Sequence, residues 1–298
     1  MKIRPLAAGL AAAAALAGCK DDGPTFTTTG PQAFVRYVNG SPDAPALTAR
    51  LVDQVENMFS WDRVGFRSHS GLHIPVNAGT RRLRVFLANS NNIGDVSTVV
   101  LDTTVELQAR TYYTFVQSGN VSRPAGSAGA ARVDVFVDTL PDAATIANNR
   151  MQVRVYHVAP AAPAVDVVLR KATAAVDSAV QATITNLAPL RRSAYQTVET
   201  VRAADTASLY RITVRPTGAP AATPLVNARP AVPGQAYQAA SIDGGPERQA
   251  QGGVRINRSV LSAFIFPAAV AGSPAATSSN GTPGVLVVPD LIPPAPTP

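Results

Sequence analysis

The feature that most constrains this chain is a repeat that keeps its order over most of its length. Val35-Arg36-Tyr37-Val38-Asn39-Gly40-Ser41-Pro42-Asp43-Ala44-Pro45-Ala46-Leu47 aligns with Val153-Arg154-Val155-Tyr156-His157-Val158-Ala159-Pro160-Ala161-Ala162-Pro163-Ala164-Val165. Each copy reads as a strand, a proline-bounded turn and a second strand. Proline cannot donate to a strand ladder, so the paired prolines mark the connection. Arg82-Leu83-Arg84-Val85 then matches Arg211-Ile212-Thr213-Val214, and Ala109-Arg110-Thr111-Tyr112-Tyr113 matches Pro233-Gly234-Gln235-Ala236-Tyr237. The copies also close alike, with Val137-Asp138-Thr139-Leu140-Pro141 against Pro289-Asp290-Leu291-Ile292-Pro293. Matches in a fixed order point to one folding unit used twice. The chain therefore divides into domains over residues 33–148 and 149–293.

The texture of both copies is all-β. Strands are expected at Ala33–Asn39, Ala46–Asp53, Leu83–Ala88, Thr98–Leu107, Tyr112–Gln117 and Val133–Asp138. In the second copy they are expected at Val153–Val158, Val165–Arg170, Leu209–Arg215, Ala236–Ile242, Leu261–Phe266 and Val285–Val288. Leu83-Arg84-Val85-Phe86-Leu87 and Val133-Asp134-Val135-Phe136-Val137 alternate with period two, as half-buried strands do. Short alternating strands between turn residues imply two tandem β-sandwiches. Asp142–Asn149 and Thr173–Val180 are the two candidates for a short turn or helix. Ala268–Gly284 reads as a long hairpin loop, and residues 294–298 as a proline-rich tail.

The N-terminus carries an address. Lys2 and Arg4 precede a short apolar run that stops at Gly18-Cys19, the pattern of a secretory signal over residues 1–18. The run is shorter than the ~20 residues a bilayer span needs. Leu16-Ala17-Gly18-Cys19 resembles the lipobox of bacterial lipoproteins, with cleavage between Gly18 and Cys19 and a lipid on Cys19. Residues 19–32 then form the lipidated cysteine and a flexible tether. The expected location is the cell envelope, with a membrane anchor. Lys20, rather than Asp, after the cysteine favours the outer membrane over the inner one. Cys19 is the one cysteine of the chain, so the folded domains contain no disulfide, thiolate nucleophile or cysteine metal site.

Little else in the sequence carries chemistry. The net charge is +7 and becomes +5 once Lys2 and Arg4 leave with the signal. Its arginines are scattered, aromatics are few, and no nucleic-acid motif occurs, so no nucleic-acid partner is expected. Ser68-His69-Ser70-Gly71-Leu72-His73 is the only histidine cluster. On a strand, residues four apart lie about 13 Å apart, so a polar loop is expected there and not a metal site. His157 is expected as a hydrogen-bonded strand histidine. Asp134 and Asp138 share one face of their strand and are expected to meet solvent. Asp43, Asp95, Asp102 and Asp166 lack the spacing of a calcium loop. No nucleophile elbow occurs, and no catalytic, metal or cofactor residue is assigned. Trp61 and Phe66, in the aromatic patch with Met58 and Phe59, are expected in the core or at a sheet edge.

The strand–Ser41-Pro42-Asp43-Ala44-Pro45–strand segment resembles bacterial domain-of-unknown-function family 4397. So do the Arg82-Leu83-Arg84-Val85 strand and the Tyr112-Tyr113 strand that follow it. The resemblance implies exported, often tandem, immunoglobulin-like domains and carries over no catalytic residue. The second copy departs from the motif with Ala159-Pro160-Ala161-Ala162-Pro163. In the following strand the acidic position is Asp166, but Thr48 in the first copy. The expected function is a non-enzymatic binding or structural module of the envelope, with a protein or glycan partner. The alternatives are a hydrolase with a site between the domains, or an assembly subunit that uses a sheet edge.

Overall fold

The computed structural model describes residues 30–53, 60–88, 97–172, 177–201, 209–230, 232–236, 238 and 248–292. The first copy contains β1 (Gln32–Asn39), β2 (Ala46–Leu51), β3 (Ser60–Gly65), β4 (Ser68–His69), β5 (Ile74–Asn77), β6 (Gly79–Leu87), β7 (Val99–Leu107), β8 (Tyr112–Ser118) and β9 (Arg132–Asp138). The second contains β10 (Arg150–His157), β11 (Val165–Ala172), β12 (Asp177–Leu187), β13 (Gln196–Glu199), β14 (Leu209–Pro216), β15 (Val226–Ala228), β16 (Val260–Phe266) and β17 (Gly284–Pro289). They form four sheets, ordered β4-β1-β8-β9 with β5 also on β1, β3-β2-β6-β7, β13-β10-β16-β17, and β12-β11-β14-β15. Named strands pair antiparallel, except that β1 runs parallel to β8 and β10 parallel to β16.

Three apolar cores hold these sheets together. Val35, Tyr37, Leu47, Leu83, Val85 and Phe115 fill the first sandwich. Val153, Val155, Val167, Leu169, Ile212 and Leu261 fill the second. The third core is Val38, Val116, Tyr156, Val158, Phe264, Phe266 and Val288, contributed by both copies. It glues the outer face of the β1–β8–β9 sheet to the outer face of the β10–β16–β17 sheet. The molecule is thus a four-layer stack. Strand β1 is buried on both faces, which explains its near-continuous apolar run.

The repeat is visible in backbone geometry. Arg63 and Asn186 have φ of 53° and 55°, and each sits at a bulge in the hairpin after its proline turn. Arg67 and Leu190, with φ of 59° and 56°, donate their N–H groups to Asn39 O and His157 O. Arg110 and Arg258, with φ of 58° and 62°, donate theirs to Gln32 O and Arg150 O. The last pair corrects one sequence match. The counterpart of Ala109–Tyr113 is the segment around Arg258, leading into β16, and not Pro233–Tyr237. The first copy passes from β7 to β8 through a short turn, whereas the second copy inserts a longer connection between β15 and the Arg258 turn, described at residues 229–230, 232–236, 238 and 248–256.

Other expectations are also revised. Thr173–Val180 is not helical where it is described, because β12 begins at Asp177. Ala236–Ile242 contributes only an isolated bridge at Gln238 among its described residues. The turn expected at Asp142–Asn149 is a single 3-10 turn, Ala143–Thr145, capped by Asp142 through Ala144 N–H.

Candidate functional site

Where the stacked sheets meet, the repeat places charged residues on a buried face. Arg36 of β1 and Arg154 of β10 occupy the same repeat position, and neither side chain has any exposed surface. Asp138 closes β9 and Asp290 follows β17, again at matching positions. The pairing crosses between the copies. Arg36 Nη1 donates to Asp290 Oδ1 at 2.8 Å, while Arg154 Nη1 lies 2.9 Å from Asp138 Oδ1. Hydroxyls at a third matching position complete the pattern. Thr114 Oγ1 accepts from Arg36 Nη2 at 3.1 Å and donates to Asp138 at 2.5 Å. Ser262 Oγ accepts from Arg154 Nε at 2.9 Å and donates to Asp290 at 2.7 Å. This is the reciprocity of a two-fold interface, in which the same patch serves both partners, built here within one chain.

Outer groups seal the cluster. Tyr156 OH donates to Asp138 at 2.6 Å and Tyr195 OH to Asp290 at 2.7 Å. The Arg154 guanidinium lies over the rings of Tyr156 and Tyr195, and that of Arg36 over Phe264. His73 Nε2 lies 3.3 Å from Asp138 Oδ2. The expectation that Asp138 faces solvent is therefore wrong. Strand parity put it on one face with Asp134 correctly, but that face is covered by the second copy. Asp134 stays nearer the rim, accepting from Ser118 Oγ at 2.8 Å.

Burial alone would raise the Asp138 carboxyl. The His73 hydrogen bond, the Arg154 charge and the Thr114 and Tyr156 hydroxyls outweigh it and hold the group well below the usual carboxylate range. Burial lowers His73, with partial offset from its bond to Asp138. Burial also lowers His69 and His157. The signs agree. Below about pH 6.5 the unfolded chain takes up protons that the folded histidines refuse, and below about pH 3.9 the unfolded Asp138 does the same. Stability is expected to fall on acidification from pH 7, first through the histidines and then more steeply below pH 4. Urea unfolding at stepped pH checks this, and equal stability at pH 7 and pH 5 would contradict it.

The remaining candidate residues are structural where they are described. Asp43 accepts Val121 N–H and Ser122 N–H, both at 2.9 Å, and so pins the β8–β9 loop to the proline turn. The corresponding loop of the second copy, after β16, instead crosses to the first copy. Val270 N–H donates to Pro42 O at 2.9 Å, and Arg67 Nη2 donates to Pro267 O at 2.6 Å. Ala161 stands where Asp43 would be because that loop is held from across the junction. Thr48 and Asp166 do one job with different chemistry. Thr48 Oγ1 accepts Arg63 N–H and Asp166 Oδ1 accepts Asn186 N–H, each at the left-handed residue of its bulge. Asp102 is paired with Arg82 and Arg84 and is pushed down to about 2, chiefly by its hydrogen bond from Arg82. Asp95 lies outside the described residues.

The histidines diverge. His69 Nδ1 accepts Gly71 N–H at 3.0 Å, while His73 turns to Asp138. Among the described residues no three metal-ligating side chains come together. His157 is the hydrogen-bonded strand histidine expected, with Nε2 3.0 Å from Pro163 O. Trp61 is core, stacked 6.1 Å from Tyr37, and Phe66 meets Phe266 at the junction. Gly18, Cys19, Met58 and Phe59 lie outside the described residues.

One large open cleft lies beside the buried cluster. It measures about 890 Å³ and is walled by His69, Gly71 and Leu72 of the first copy and by the insertion of the second. Sequence reasoning missed it, because the Pro233-Gly234-Gln235 stretch was matched to a strand of the repeat.

Residues 33–168 match the family model described as "Domain of unknown function (DUF4397)". Over these residues the chain is similar to the DUF4397 family. The matched stretch runs through the first copy and into β11, so it includes both proline turns. No curated protein matches the sequence. Among solved structures, a candidate adhesin from Bacteroides ovatus is 9% identical, with a TM-score of 0.25, covering 88% of this chain and 94% of its own. The fimbrial anchor protein Mfa2 from Porphyromonas gingivalis is 12% identical, with a TM-score of 0.26, covering 89% and 99%. Likenesses at that score carry no argument for this protein, whose fold and site stand on their own geometry.

Proposed function

We propose that this protein is a lipid-anchored envelope lipoprotein that binds a partner or spaces one from the membrane, without catalysing a reaction. The observation that carries the reading is the sealed junction. Among the described residues the strongest convergence of ionisable groups, Arg36, Asp138, Arg154 and Asp290, is closed to any substrate and is spent on joining the copies. A stack tied in this way transmits position and orientation, which suits a module held at a surface. The Gly18-Cys19 junction supports the anchor, residues 20–32 the tether, and Lys20 an outer-membrane address. Domains over residues 33–148 and 149–293 follow the division of the sandwich cores.

Replacing Cys19 with Ser tests the anchor. The variant is expected either to leave the membrane fraction as a soluble chain or to remain unprocessed with its signal attached. A processed Cys19→Ser chain that still sediments with membranes would overturn it. A sheet-edge assembly is the second reading. Strand β9 ends its sheet, and Val135 and Val137 on it are 40% and 52% exposed. Arg192 Nη2, which donates to Val137 O at 2.6 Å, blunts that edge, so the first reading is preferred.

A further inference from the structure

We infer that the cleft between the copies is a binding site for an extended peptide that carries apolar side chains and one carboxylate. This rests on the binding-module reading and names its site. The cleft is where the internal symmetry breaks. Insertions in one copy of a repeat concentrate on a binding face, and Val232–Gln235 and Arg248–Gly252 of the insertion build one wall of this cleft. That wall is preformed. Gln235 and Gln251 exchange backbone hydrogen bonds of 3.0 and 2.8 Å, making a two-stranded arm with Gln238 and Arg248. The arm's root is close-packed, since a Cβ on Gly234 would sit 2.6 Å from Ile256 Cγ1 and 2.7 Å from Gln251 O. Val254 N–H to Val232 O at 2.9 Å and Val201 N–H to Val254 O at 2.8 Å tie the root to the second sandwich.

The lining selects the ligand class. The lining includes the apolar residues Leu72, Val232, Leu291 and Ile292, and Ile292 is 52% exposed. Burying such side chains against partner side chains is favourable at about 25 cal/mol per Å². Gln235 and Gln251 also line the cleft. Each amide offers a donor and an acceptor, the same pair that a peptide group presents. No Trp, Tyr or Phe is found among the described lining residues, so the stacking face that a sugar ring needs is lacking there. Among the described lining residues Arg248 supplies the positive charge, and a carboxylate on the ligand complements it. An apolar cleft with a few placed polar groups has the form of a recognition site.

The test uses the lipid-free chain from Lys20 onward, so failure of the anchor reading leaves it unaffected. A phage library of random dodecapeptides is panned on this chain, and the enriched sequence is synthesised with a fluorescein label for anisotropy titration. Alternating apolar residues with an Asp or Glu are expected. Ile292→Asp should weaken binding at least tenfold. Arg248→Glu should do the same, and panning on that variant should select Lys or Arg in place of the acid. Both positions are exposed, so unchanged thermal melting confirms the fold of each variant. Failure to enrich any sequence family, equal binding by both variants, or binding to a saccharide array in place of peptides would each overturn the proposal.

Discussion

Replacing Asp290 by alanine is expected to cost about 3–5 kcal/mol of folding stability, the usual penalty for leaving a buried charge without its partner. Asp290 accepts from Arg36, Ser262 and Tyr195. Its loss strands the Arg36 guanidinium in a place with no exposed surface. Arg154 lies 3.7 Å from the same carboxylate and loses its second counter-charge. The effect is about the unpaired ion rather than the worth of the pair. Replacing Arg36 and Asp290 together by apolar residues of similar volume should therefore recover much of the loss. Denaturant unfolding of the single and double variants checks both statements. A single-variant loss below about 1 kcal/mol would place the site in the range of exposed ion pairs.

Phe264→Ala is the second large effect, about 3–5 kcal/mol for a fully buried phenylalanine. Its ring stacks on Tyr156 with centroids 4.6 Å apart and lies beneath the Arg36 guanidinium. Truncation opens a cavity in the core shared by the copies and removes a wall of the ion cluster. Phe115→Ala, confined to the core of the first sandwich, serves as the comparison. Both should lower the midpoint of unfolding. Only Phe264→Ala should also loosen the junction, read as faster amide exchange along β16 and β17. Similar exchange in the two variants would argue against a distinct junction core.

Much of the fold is legible in the sequence because the repeat is. The alignment that sets Arg36 on Arg154 and Asp138 on Asp290 contains the junction in outline. What it lacks is the face that each residue serves. Arg36 in Val35-Arg36-Tyr37-Val38 carries no sign of burial in the sequence, yet both faces of β1 are covered. Burial on the second face comes from the other copy, which local pattern does not encode. Short or polar strands such as β4, β5 and β13 gave no periodic signal. Segment β12 was masked by its alanines, which favour a helix. The insertion was misread because a Pro-Gly pair before a tyrosine imitates the turn before β8. The proposed anchor at Cys19 rests on the sequence alone, since a peptidase recognises an extended sequence and not a fold.

The central claim is that the copies form one unit, joined by a two-fold set of buried ion pairs. Differential scanning calorimetry of the chain from Lys20, beside its Asp290→Ala variant, tests this most directly. The parent chain is expected to melt in a single transition with equal calorimetric and van't Hoff enthalpies. The variant is expected to melt lower and in two resolved steps, one for each sandwich. Two separate transitions in the parent chain, unchanged by the substitution, would contradict the account.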